Sequence, residues 1–197
     1  MTATLAGFGL RPAYHPSGVI RPRAYKVVDA TQAAYATTLY KGVPVKLVTD
    51  GSIAQATEGA DWLGVFESAE YTDANGKPTK SPYLLASSTG ITNVVIYVVD
   101  DPDVVFEVQS SAAVANTAVG DQLTTFSNTS GYTEADGTTA IGQSTMAMSG
   151  TLATAGSQGM MTVLGLAGLP DNLWSDTYPV LQVKNARPQL NAVKVAV

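Results

Sequence analysis

The chain has 197 residues, of which 45% are hydrophobic and only 14% charged, with a formal net charge of −5 and no cysteine. That length suits one domain, or one domain with an arm, and is enough to bury a core without covalent staples. The composition excludes disulfides, thiolate catalysis and sulfur-ligated zinc, and no run approaches the roughly 18 apolar residues of a membrane span.

Ala and Val dominate the apolar share, and Thr, Ser and Gly fill most of the rest. This is the palette of short strands and tight turns. A surface with so little charge also permits stable contact with other subunits. The first ten residues lack an early positive charge and are broken by two glycines, so they do not read as a secretory signal.

Residues 1–26 read as an extended arm ahead of a β-rich body spanning 27–197. The stretch GFGLRPAYHPSGVIRPRAY, from Gly7 to Tyr25, holds Pro12, Pro16 and Pro22 with Gly7, Gly9 and Gly18. Proline removes donors and glycine weakens any regular element, so neither a helix nor a central strand is expected there. Its apolar residues, among them Leu5, Phe8, Leu10 and Val19, predict an arm that is docked rather than free.

Residues 29–40 (DATQAAYATTLY) fit a short helix or a strand and loop. VPVKLVT (43–49) alternates, with Val43, Val45, Leu47 and Thr49 on one face. WLGVFES and EYT lead into DANGKP, where Asn75-Gly76 predicts a type I′ hairpin, with Lys77 and Lys80 on an exposed return strand. NVVIYVV (93–99) is nearly continuous and predicts a strand buried on both faces. VVFEVQ (104–109) predicts Val104, Phe106 and Val108 inward and Val105, Glu107 and Gln109 outward. Between them lies DDPD, which reads as a turn. The polar stretch 126–145 reads as a surface loop, and further short strands are expected at 118–126, 144–152, 160–166 and 178–184. The whole predicts a mainly β fold, a β-sandwich or a β-barrel-like body with an extended N-terminal arm.

Charge is unevenly spread. Residues 1–26 carry Arg11, Arg21, Arg23 and Lys26 and no acid, and the last fourteen carry Lys184, Arg187 and Lys194 and no acid. No Lys or Arg lies between Ser81 and Val183, a stretch with nine acids. Four charges are few for a nucleic-acid arm, and the acidic body repels phosphate, so direct nucleic-acid binding is not expected. A basic arm laid on an acidic surface, its own or a neighbour's, fits better.

The chemistry-bearing residues are sparse. The only histidine, His15, sits between Tyr14 and Pro16, a poor mount for a catalytic relay. Asp100, Asp101 and Asp103 lack the spacing of a calcium loop, and GFGLRP lacks the third glycine of a dinucleotide fingerprint. No catalytic residue, cofactor or metal site is assigned, and the chain is not expected to be an enzyme. Trp62, Tyr71, Tyr83, Tyr97, Trp174 and Tyr178 suit either a β core or a sugar-binding face; Trp174 is expected at a core edge or an interface.

The leader, the strand YKGVPVKLVTDGSI, the segment GVFESAEYTDANGKP, the run YVVDDPDVVFEVQ and the later TAVGDQ together resemble head decoration (cement) proteins of tailed bacteriophages. The likeness spans Gly7 to about Val183. It implies a structural virion protein on the outer surface of the capsid, bound to the major capsid protein and bridging capsomers, with a homotrimer as the expected assembly and no membrane partner. Within it, Arg11, Tyr14, His15, Arg21, Arg23 and Tyr25 are the candidate capsid- or subunit-contacting residues. Another phage head or tail structural β-protein, or a carbohydrate-binding β-module with Trp62 or Trp174 exposed, is the alternative.

Overall fold

The computed structural model of the chain describes residues 4–26, 38–49, 51–85, 90–127, 131–133 and 140–190. These are nearly all β, in several antiparallel sheets that make a sandwich-like body, and the one helical piece is a single 3-10 turn at Asn116–Ala118. None of the described helices is long and apolar enough to cross a membrane.

The first large sheet has five strands in the order Arg11–Tyr14, Val105–Gln109, Val180–Asn185, Met161–Leu166 and Gln122–Leu123. The second runs Arg23–Lys26, Thr92–Val99, Gly64–Thr72, Pro44–Leu47 and Ile53–Gln55, with Pro78–Ser81 also paired to 64–72. Three two-stranded pieces complete the body: Leu39–Tyr40 with Tyr83–Leu84, Phe126–Ser127 with Ala147–Met148, and Gly131–Thr133 with Ala140–Ser144.

Two segments pass from one large sheet to the other, and they do so side by side. The 92–99 strand leaves the second sheet, turns through DDPD, and enters the first as 105–109. The leader makes the same passage in reverse, pairing Arg11 with Glu107 and Tyr14 with Val105, then Arg23 with Val98 and Lys26 with Val95. These two registers leave residues 15–22 opposite the acidic turn. DDPD is therefore a corner between sheets.

Apolar side chains gather in two buried clusters. One lies under the first sheet, built from Leu10, Trp62, Phe106, Leu123 and Phe126, with Met146, Met148, Met160 and Met161 filling the space between them. The other lies under the second sheet and includes Leu39, Val45, Ile53, Leu63, Phe66, Leu84 and Ile96. Val65 and Val99 of the second sheet pack into the first cluster, which ties the two halves together.

Most of the expected strands are present, with instructive differences. Val104, Phe106 and Val108 do face the core, but Val105 and Gln109 are buried as well. The 92–99 strand buries Val94, Ile96 and Val98, whereas Val95 and Tyr97 are half-exposed. Around Tyr97 its second face is covered by polar groups, while Val99 at the strand's end joins the first core cluster. Tyr97 donates to Glu70 at 2.9 Å, and Lys80 lies 5.0 Å from the Tyr97 ring centroid. Part of the stretch that reads as a polar loop forms the 131–133/140–144 pair. The 29–37 portion of DATQAAYATTLY lies outside the described residues, and Leu39–Tyr40 at its end is a strand.

The DANGKP turn is also of a different type. A type I′ turn needs positive φ at both central residues, and here Gly76 (φ 79°) has it but Asn75 does not. The Gly76 amide donates to the Asp73 carbonyl at 3.0 Å, and the Asp73 carboxylate accepts from the amides of Asn75 and Lys77, both at 2.9 Å. This is a type I turn closed by a left-handed glycine, and Asp73 selects it by satisfying two amides at once. Gly76→Ala is expected to cost about 1 kcal/mol, the penalty of a Cβ in the left-handed region. A urea unfolding curve with an unchanged midpoint would contradict this turn assignment.

Candidate functional site

The leader is held first by its backbone. The Gln109 amide clamps it from both sides: Oε1 accepts from the Ala6 amide at 2.7 Å, and Nε2 donates to the Thr4 carbonyl at 3.1 Å. Gln143 Nε2 donates to the Phe8 carbonyl at 2.7 Å. The Gly9 amide donates to the Met146 carbonyl at 2.9 Å, and the Leu10 amide to the Gly42 carbonyl at 2.8 Å. Gly7 is required by closeness, because a Cβ there would lie 2.2 Å from the Thr145 carbonyl oxygen. Residues 4–26 are thus built into the body, and Leu10, 1% exposed, is part of the core.

The side chains of the leader then meet the acids of the corner one by one. Arg11 forks onto Glu107 Oε2 through Nη2 at 2.5 Å and Nε at 3.2 Å, with its guanidinium 5.2 Å from the Phe8 ring centroid. His15 Nδ1 accepts from the Ser17 amide at 3.0 Å. A backbone amide only donates, so the neutral ring carries its proton on Nε2, which lies 3.4 Å from Asp101 Oδ2. Arg23 Nη1 is 3.1 Å from Asp100 Oδ2, and the Tyr25 hydroxyl donates to the same oxygen at 2.5 Å. Asp103 is taken from the other side of the corner, by Lys184 Nζ at 2.7 Å.

Each acid of DDPD therefore receives a different segment of chain. The Asp100 side chain is only 7% exposed, and a carboxylate that dry needs its donors. Burial, and then the hydrogen bond to Asp100, pushes the Tyr25 phenol from its ordinary 10.0 up to about 12. The Tyr25 hydrogen bond and the Asp100 charge raise the Arg23 guanidinium. The Lys184 hydrogen bond lowers the Asp103 carboxyl.

The Tyr25 shift fixes a pH dependence. The fold favours the protonated phenol, so its contribution is fully present below the ordinary tyrosine value and is lost as pH rises through about 12. In a tyrosinate absorbance titration, Tyr25→Phe is expected to remove one late-titrating tyrosine. Loss of one that titrates in the ordinary range would contradict the Asp100 contact.

The six candidate contact residues thus divide. Arg11, His15, Arg23 and Tyr25 are turned onto the chain's own body. Tyr14 is 49% exposed, and Arg21 is exposed with no partner among the described residues. Arg21 lines a shallow recess with Arg23, Asp100, Asp101, Pro102 and Leu190. One group among the described residues has the make-up of a metal site: single ligand atoms of His15, Asp101 and Asp103 lie within 4.8 Å of one another. One nitrogen and two carboxylate oxygens suit a divalent cation, though Lys184 already occupies Asp103.

The two tryptophans serve the core. Trp62 is 0% exposed, donates from Nε1 to the Met160 carbonyl at 3.3 Å, and meets Phe126 edge-on. Trp174 packs half-buried against the same core. Of the two tryptophans that a sugar-binding face would expose, Trp62 is buried and anchors the core, and Trp174 is half-exposed.

Sequence reasoning missed the glutamines. Gln109, Gln143 and Gln189 each bond main-chain groups of a distant segment, and Gln189 serves both the amide and the carbonyl of Leu47, at 2.7 and 2.8 Å. No local pattern marks such residues; the only signal is a lone polar group at the end of an apolar strand, as in VVFEVQ. No family model, curated protein or solved structure matches the chain.

Proposed function

We propose that this chain is a head decoration protein of a tailed bacteriophage, a non-catalytic virion component that sits on the outside of the capsid and bridges capsomers of the major capsid protein. The observation that carries the reading is the leader itself. Four of its side chains are matched to acids or buried groups of the body, which holds the outward-facing Tyr14, Val19 and Arg21 in one place. A contact segment ordered before binding loses little entropy on docking. The rest of the body suits the same role: few charges, and strand-borne surfaces that repeat identically in a symmetric array, where many weak contacts sum by avidity.

The test is co-expression with the major capsid protein of the same genome, followed by sedimentation of the assembled shells. The chain is expected to travel with the shells and to be released from them intact. A chain that stays at the top of the gradient while shells assemble normally contradicts the proposal.

A further inference from the structure

On the outer face of the second large sheet, a recess of about 440 Å³ opens where the leader meets the strands 64–72, 78–81 and 92–99. That volume lies within the range of small-molecule sites. A β-bulge builds its floor. Phe66 pairs with Val98 and Ser68 with Tyr97, which leaves Glu67 as the extra residue. Plain alternation would put Phe66 and Ser68 on one face. The bulge instead keeps Phe66 in the core and turns Ser68 to the outer face beside Tyr97. Ser68 is 9% exposed there, and its hydroxyl has no hydrogen-bond partner among the described residues. The Lys41 and Lys80 side chains that line the same recess are 45% and 64% exposed, so the hydroxyl lies below a charged rim.

We infer that this recess binds a neutral, polyhydroxylated ligand of the size of one sugar ring. A buried hydroxyl without a partner is uncommon in a folded chain and calls for a group that reaches it. The rim decides what kind of group. Lys41 Nζ is bonded to Glu67 Oε1, and Lys80 Nζ lies 3.1 Å from Glu70 Oε1, so each ammonium already has its carboxylate. An anion would find no unneutralised cation and would have to lie beside Glu67, and a cation would meet two lysines. A ligand hydroxyl suits both members of such a pair, because it donates to the carboxylate and accepts from the ammonium. Ser68 completes the set as donor and acceptor. Pro22, Pro82 and the Tyr97 ring add apolar walls, against which the C–H face of a pyranose packs.

The leader completes this site. Pro22 precedes Arg23, and the 3.1 Å contact of Arg23 with Asp100 holds that part of the leader against the sheet. The tryptophans take no part. Such a recess serves a chain on a shell or off it, so binding of a sugar and binding of shells are read separately and stand or fall apart.

Saturation-transfer NMR tests it, with the methyl glycosides of glucose, galactose, mannose and N-acetylglucosamine as probes and inorganic phosphate as competitor. At least one glycoside is expected to bind, with a dissociation constant on the order of millimolar for a ligand of so few atoms. Phosphate is expected to leave it in place. Ser68→Ala is expected to weaken binding about fivefold, the worth of one neutral hydrogen bond. Its urea midpoint should not change, because the hydroxyl has no partner to lose. Glu67→Gln, which leaves Lys41 without its acid, is expected to weaken binding too and to let phosphate displace the sugar. Failure of every glycoside to bind overturns the inference, with Ser68 then facing water alone. A glycoside that phosphate displaces from the wild-type chain overturns it as well, by making the recess an anion site. So does one that binds Ser68→Ala as tightly as wild type, by placing the sugar elsewhere.

Discussion

Leu10→Ala is expected to lower the unfolding free energy of the whole protein by about 2–5 kcal/mol, the range for truncating a fully buried leucine. Leu10 lies in the same buried cluster as Trp62, Phe106 and Met146, and its amide is bonded to Gly42. The leader backbone before it is pinned by Gln109, Gln143 and Met146, and the strand after it pairs with 105–107, so the cavity has little freedom to collapse. Urea unfolding followed by tryptophan fluorescence checks this, because Trp62 reports on that cluster. A loss under about 1 kcal/mol, as for a surface substitution, would mean that the leader is peripheral. The same reasoning makes deletion of residues 1–24 a poor probe of any contact role, since it removes core as well as surface.

Asp100→Ala is expected to cost about 1–3 kcal/mol, the range for leaving a buried donor, here the partly buried Tyr25 hydroxyl, without its acceptor. The Tyr25 hydroxyl and the Arg23 guanidinium converge on one oxygen of this carboxylate. Asp100→Asn keeps an acceptor for the phenol and removes the charge, so a smaller loss is expected. In a double-mutant cycle with Tyr25→Phe the two losses should fall short of additivity, because they remove one shared interaction. Strict additivity would place Tyr25 and Asp100 in separate environments and contradict the corner geometry.

The fold class was legible because its signals are local. Alternation in VVFEVQ, β-branched density in NVVIYVV and regular turn residues each follow from the period of a strand. The acidic body and basic ends were equally plain, and they foretold a leader lying on acids. Which acids was not legible. Arg11 meets Glu107 and Arg23 meets Asp100 only because two sheet registers, separated in sequence by some eighty residues, bring the leader alongside 98–107. Register of that kind depends on the complete set of strand partners. The Asn75-Gly76 turn shows the complementary case: the dipeptide favours one turn type, and the carboxylate of Asp73 bonds two amides and selects another. Gln109, an outward position by alternation, is buried because the leader covers it.

The division of the leader's side chains bears directly on function. The resemblance offered all six as candidate contacts, whereas the structure turns four of them inward and leaves Tyr14 and Arg21 facing outward. Inward pairing sets the geometry of the outward pair, so substitutions at Arg23 or Asp100 are expected to weaken a contact indirectly, by loosening the leader. Substitutions at Arg21 act on the contact itself.

The most direct measurement of the proposed role is the temperature at which shells of the major capsid protein open, followed by light scattering with and without this chain at saturating occupancy. A protein that clamps adjacent capsomers raises that temperature, and shells carrying it are expected to open later on heating than bare shells of the same preparation. Saturated shells that open at the temperature of bare ones would contradict the decoration reading, whatever the affinity of binding.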